Sequence, residues 1–139
     1  MILTLRVKPR GQGLCDITDQ LVHAVRESTQ SQGLGNGLCT LFIQHTSASL
    51  LVQENYDSSA RDDLEAWLNR LVPENDPLYT HTLEGPDDMP AHIKSALTAV
   101  SVSIPVIEGE LALGAWQGVF LWEHRRVSNE RKVIVHLAG

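Results

Sequence analysis

Apolar and polar residues alternate from residue 2 to residue 8, with Leu3, Leu5 and Val7 on one face and Thr4, Arg6 and Lys8 on the other. This period of two predicts a half-buried strand. Gly11 and Gly13 predict a turn. Asp16 or Thr18 then caps a helix whose apolar positions Ile17, Leu21, Val22 and Val25 recur at helical spacing. The run Gly33-Leu34-Gly35-Asn36-Gly37 ends that helix. It follows a helix and precedes a strand, the reverse of the order that sets a phosphate on a helix N-terminus. Leu38 to Gln44 is almost continuously apolar and predicts a central strand buried on both faces. The polar segment His45-Thr46-Ser47-Ala48-Ser49 follows, then a short strand at Leu50-Leu51-Val52 leading to Glu54-Asn55.

In the second half, Asp57 or Ser58 caps a helix with Ala60, Leu64, Trp67, Leu68 and Leu71 on its buried stripe, closed by Pro73. Asp88 caps a third helix, with Pro90 in its first turn and Ile93, Ala96, Leu97 and Val100 facing inward. Val102, Ile104 and Val106 alternate, and Pro105 marks an edge position. Glu108-Gly109 turns the chain. Strands follow at 111–113, through Gly114–Trp122, and from Lys132 to Leu137. Helices in the middle and strands gathered at the end predict a single α+β domain over residues 1–139, with a mixed, largely antiparallel sheet and about three helices.

Composition narrows the function classes. The net charge of −6, from 17 acidic and 11 basic residues, argues against a nucleic-acid or anionic-membrane partner, which requires a basic face. Arg125-Arg126 and Arg131-Lys132 supply at most a local basic pocket. Cys15 and Cys39 sit apart in apolar surroundings and read as reduced, buried thiols. The N-terminus lacks the apolar core of a signal peptide, and no apolar run reaches membrane-spanning length. These features together predict a cytoplasmic location.

The candidate chemistry is concentrated in Leu78 to His92, where His81, His92, Glu84, Asp87 and Asp88 share a segment broken by Gly85, Pro86 and Pro90. Such residue types in an irregular loop suit metal or acid–base work. Asp88 lies one helical turn before His92, on the same side. Further polar groups sit at element ends: His45 to Ser49, Glu54-Asn55, and Gln117 with Glu123 to Arg126. No GxSxG elbow, Walker loop or zinc-finger cysteine spacing is present. A catalytic metal site built from three of His45, His81, His92 and His124 is plausible, with Glu54 or Glu123 as general base.

The segments His45-Thr46-Ser47-Ala48-Ser49-Leu50, Glu54-Asn55, His81 to Lys94, and Gly114…Trp116-Gln117-Gly118…Glu123-His124-Arg125 resemble the YjbQ-like family, also labelled secondary thiamine-phosphate synthase. The resemblance spans essentially the whole chain. It implies a small α+β fold, assembly as a homotrimer, and a weak synthase activity that joins an aminopyrimidine diphosphate to a thiazole phosphate. It also implies a divalent metal, Zn or Mg. His45, His81 and His92 match the family's histidines and become metal candidates. His45, Glu54 and Glu123 become catalytic candidates. Ser47, Gln117 and Arg125 become candidates for binding a small phosphorylated metabolite, with Arg125 on its phosphate. Ala115 departs from the family pattern, where threonine is common. The alternatives on the same residues are a metal-dependent hydrolase of a phosphorylated metabolite and a non-catalytic metal- or small-molecule-binding trimer.

Overall fold

The computed structural model describes residues 1–139. Its strands are β1 (Ile2–Val7), β2 (Gly13–Asp16), β3 (Gly37–Ile43), β4 (Ala48–Glu54), β5 (Ser101–Ile107), β6 (Glu110–Leu111), β7 (Gln117–Glu123) and β8 (Arg131–Ala138). The helices are α1 (Thr18–Gln32), α2 (Ser58–Leu71) and α3 (Asp88–Leu97). Two antiparallel sheets form, one ordered β1-β8-β3-β5-β6 and the other β2-β7-β4. The predicted α+β class holds. β2 is an addition, a four-residue strand where the glycines had predicted only a turn.

The main core lies between the sheets. Leu5 and Val7 of β1, Cys39, Leu41 and Ile43 of β3, Val119 and Leu121 of β7, and Val133, Val135 and Leu137 of β8 meet there with Leu21 and Val25 of α1. Gly33 closes α1 in the left-handed conformation, φ 63°, which glycine adopts without steric cost. Cys39 is wholly buried and its thiol is pushed up to about 11 by that burial, whereas Cys15 is only half-buried. A smaller core joins Trp122 of β7 to Leu68 and Val72, with Leu14, Leu51, Leu64 and Ile93 packed around it.

Four expectations are corrected. β3 is central, but only its Cys39–Leu41–Ile43 face is buried; Leu38 and Phe42 look outward. The strand buried on both faces is β7, because α2 and α3 cover the side of the three-stranded sheet that faces away from the main core. Trp67 is 54% exposed, because α2 packs through Leu64, Leu68 and Val72, and Trp67 and Leu71 are rotated off that line. α3 buries a mostly polar stripe, Asp88, Ala91, Lys94 and Ser95, while Leu97 and Val100 are exposed. Asp88 is the first helical residue, and Asp87 stands at the cap position without capping.

Candidate functional site

Strand alternation places the first half of the site. Arg131 occupies a core-facing position of β8, in phase with Val133, Val135 and Leu137. Glu123 occupies the equivalent end of β7, in phase with Val119 and Leu121. A buried charge requires a partner. Arg131 Nε and Nη2 donate to the two oxygens of Glu123 at 2.6 and 2.9 Å. This two-pronged bond ties the sheets together at one end of the core, and the amide of Arg125 adds a third donor to Glu123 at 3.1 Å. Glu123, fully buried and held on both oxygens, is a structural carboxylate and not a free base.

His45 lies above this pair. Its Nδ1 faces the amide N–H of Ser47 at 3.0 Å and its Nε2 faces Arg131 Nη1 at 2.8 Å. Both neighbours are donors, and a neutral imidazole has one lone-pair nitrogen. Protonation would leave a lone pair for neither. Burial, reinforced by the Arg131 charge, accordingly pulls the His45 pKa below its ordinary value. His124 is buried beside Trp122, its Nε2 2.9 Å from Ser49 Oγ, and burial pulls it down to about 3.

The second half is built on α3 and the loop before it. Asp88 and His92 are one turn apart, so their side chains meet. Asp88 Oδ2 lies 2.6 Å from His81 Nε2 and 3.1 Å from His92 Nε2. The other oxygen, Oδ1, accepts from Arg125 Nη1 at 2.6 Å. Arg125 also donates to Asp87 Oδ2 at 3.0 Å and to the Glu84 carbonyl at 2.9 Å. Burial pushes the Asp88 carboxyl up, but the His81 hydrogen bond and the His92 and Arg125 charges outweigh it, and the pKa falls below the usual carboxylate range. Asp87 shifts the same way, burial being outweighed by the Arg126 amide and by Arg125.

His92 has the converse problem to His45. Its Nδ1 sits 3.1 Å from the Thr46 carbonyl, an acceptor, so Nδ1 carries a proton. In the neutral ring Nε2 is then a lone pair, and it points at a carboxylate. Either the ring takes a second proton or a cation belongs between Nε2 and Asp88. Two imidazole nitrogens and one carboxylate oxygen, all within 4.8 Å of one another, form a compact ligand set. A histidine whose other nitrogen donates to a backbone carbonyl is the usual arrangement around a metal. His81 also borders a cavity of about 340 Å³, lined by Asn75, Asp76, Tyr79, Thr82 and Met89 among others.

The predicted residues therefore divide. His81 and His92 come together, joined by Asp88 in the position expected for His45. Arg125 does not offer its guanidinium to a phosphate, because Asp87, Asp88 and Glu84 occupy it. Ser47 is buried and contributes its backbone to His45 and His124. Glu54 and Gln117 face each other at the opposite end of the β4–β7 pair from Glu123, about 20 Å along β7 at the ordinary rise per residue. The side chain of Gln117 accepts from Gly114 N–H. Sequence reasoning paired Asp88 with His92 but did not join His81 to them, and it missed Arg131 as the partner of Glu123. The second had a signal: an arginine in phase with the buried residues of its strand.

The sequence profile described as UPF0047 protein YjbQ-like matches residues 3–139. A UPF0047 protein of Synechocystis is 48% identical over 135 residues, covering 97% of this chain and 89% of that protein. The UPF0047 protein YjbQ of Escherichia coli O157:H7 is 42% identical over 137 residues, covering 99% and 95%. Among solved structures, a conserved hypothetical protein of Thermus thermophilus superposes with a TM-score of 0.84 at 35% identity, over 98% of this chain and 99% of that one. A protein of unknown function from Sulfolobus solfataricus, described as YbjQ-like, gives 0.87 at 27% identity, over 100% and 96%.

Proposed function

The chain belongs to the UPF0047 YjbQ-like family, and on that premise we propose that it is a divalent-metal-dependent enzyme acting on a small phosphorylated metabolite. One observation carries the reading: His81 Nε2 and His92 Nε2 converge on one oxygen of Asp88, while the Thr46 carbonyl holds the His92 ring so that Nε2 is the nitrogen free to meet an ion. His81, Asp88 and His92 would hold the ion. Two imidazoles favour zinc over magnesium, which prefers an all-oxygen shell. A bound ion there supplies positive charge to a phosphoryl oxygen or to a water.

The protein's own residues prepare the place. Arg125 holds Asp88 in one orientation and keeps it ionised. Thr46 fixes the His92 tautomer. His81 is the exposed member, 44% accessible at its side chain, and stands where substrate enters. His45, held neutral beside Glu123 and Arg131, is an acid–base candidate at the rim. The family resemblance names one reaction within this class, the joining of an aminopyrimidine diphosphate to a thiazole phosphate. There a C–N bond forms, a C–O bond breaks and diphosphate leaves. The exposure of His81 to solvent favours a second reading, hydrolysis of a phosphate ester.

The test combines metal analysis of the purified protein with zinc titration of wild type and Asp88→Asn. Wild type should retain about one equivalent and the variant should bind at least tenfold more weakly. Equal binding removes the metal reading. Turnover with both thiamine precursors identifies a synthase, phosphate release from one ester a hydrolase, and tight metal retention without turnover a binding protein. Self-association fits the outer face of the five-stranded sheet, where Ile2, Leu38, Phe42 and Ile107 lie exposed. Light scattering on wild type and Phe42→Asp checks the homotrimer.

A further inference from the structure

A second cavity, of about 380 Å³, has Arg126, the neighbour of Arg125 in the chain, in its wall. It is lined by Gln12, Asn69, Val72, Pro73, Glu74, Lys94 and Arg126. Lys94 belongs to the buried stripe of α3 and is only 3% exposed. Its Nζ makes one hydrogen bond, to Asn69 Oδ1 at 2.5 Å, and forms no ion pair within 4.0 Å, unlike the paired Arg125 and Arg131. An ammonium taken out of water without a carboxylate in contact is destabilising; the amide oxygen and the more distant Glu74 and Asp87 charges compensate only part of that.

The orientation of the other lining groups follows from their bonds. Asn69 gives its oxygen to Lys94, so its amide N–H₂ remains to donate. Gln12 donates to the His124 carbonyl at 3.0 Å, which leaves its oxygen for the cavity. Arg126 uses its amide on Asp87 and one guanidinium nitrogen on Glu74, leaving further N–H groups unengaged. Lys94 and Arg126 set against Glu74 leave the lining one positive charge in excess. Donors outnumber acceptors around a space large enough for a small ligand.

We propose that this cavity binds a phosphoryl group, with Lys94 Nζ, Asn69 Nδ2 and Arg126 as its donors. A tetrahedral oxyanion satisfies the Lys94 charge and accepts from three directions at once. The site replaces Arg125, which is occupied, as the phosphate anchor. This inference rests on the reading above for the identity of the substrate, but anion binding here requires no metal, so the two fail separately.

The test is titration with inorganic phosphate in the presence of a chelator, followed by ¹H–¹⁵N spectra of the full chain. The largest shifts should fall on the Asn69 and Gln12 side-chain amides and the Arg126 guanidinium. Lys94→Met should weaken phosphate at least tenfold, and the solvent-exposed Arg126→Gln, which keeps the fold, severalfold. Acetate should bind more weakly than phosphate. Absence of phosphate binding at millimolar concentration, unchanged affinity in both variants, or acetate binding as tightly as phosphate overturns the proposal.

Discussion

His45 and His92 end in the same corner of the molecule and face opposite demands. His45 is approached by two donors, His92 by two acceptors. The first ring sits on a closed network in which Glu123 and Arg131 satisfy each other. Its one unmatched group is the donor that faces the protonated nitrogen of His45. The second belongs to an open network, where one acidic oxygen is shared by two imidazole nitrogens on the accessible side of the molecule. A cluster of charged side chains is informative when its protons do not balance, and the imbalance names the sign of what is missing. At His92 a second ring proton or a cation restores the balance, and the metal proposed above is the cation.

The sharpest way to break this contrast is to attack the closed side. Glu123→Gln leaves Arg131 buried without a counterion and should lower unfolding free energy by about 3–5 kcal/mol, read from urea denaturation; a loss near zero would mean the network is open after all. The open side should respond instead to ligand. Zinc at a hundredfold over its Kd should stabilise wild type by about 2.7 kcal/mol and Asp88→Asn by far less, measured as a shift in thermal midpoint.

Acid sharpens the comparison further. His124 protonates near 6.5 when unfolded and at about 3 when folded, so the unfolded chain takes up the proton first as pH falls. Its contribution to stability is complete above pH 6.5 and shrinks below that by about 1.4 kcal/mol per pH unit until pH 3. His124→Asn should flatten that part of the stability–pH curve, and an unchanged slope would assign acid sensitivity elsewhere. The smallest effect belongs to His81→Ala in chelator, within about 0.5 kcal/mol of wild type, because the side chain is 44% exposed and Arg125 still pairs with Asp88; a larger loss would make His81 structural.

The alternation of β1 and β8 and the helical spacing of α1 were legible because one face of each is buried in the main core. Strand β2 was not, because four residues with a glycine carry too little pattern to register. Trp67 misled because α2 buries a narrow line of residues, and spacing alone does not choose between adjacent lines. α3 misled because its inward face is polar, against the assumption behind an apolar stripe. At the site, the Asp88–His92 turn was readable as a local helical pair. The contact of His92 with the Thr46 carbonyl was not, since 46 residues separate them and no local rule records it. The neutralisation of Arg125 by Asp87 and Asp88 was hidden for the same reason.

Strand β7 has a consequence for how the molecule opens. It is hydrogen-bonded along both edges by β2 and β4 and covered on both faces. A backbone enclosed in this way has no partial route to solvent, so the amides of Val119 to Leu121 should exchange with deuterium only through global unfolding. The segment before α3 has few backbone hydrogen bonds of its own, and the amides of Thr80 to Glu84 should exchange early. Glu123 thus belongs to the slowest-exchanging unit of the protein and His81 to one of the fastest. The ligand set would then gain and lose its exposed member by local opening, while the frame beneath it stays folded.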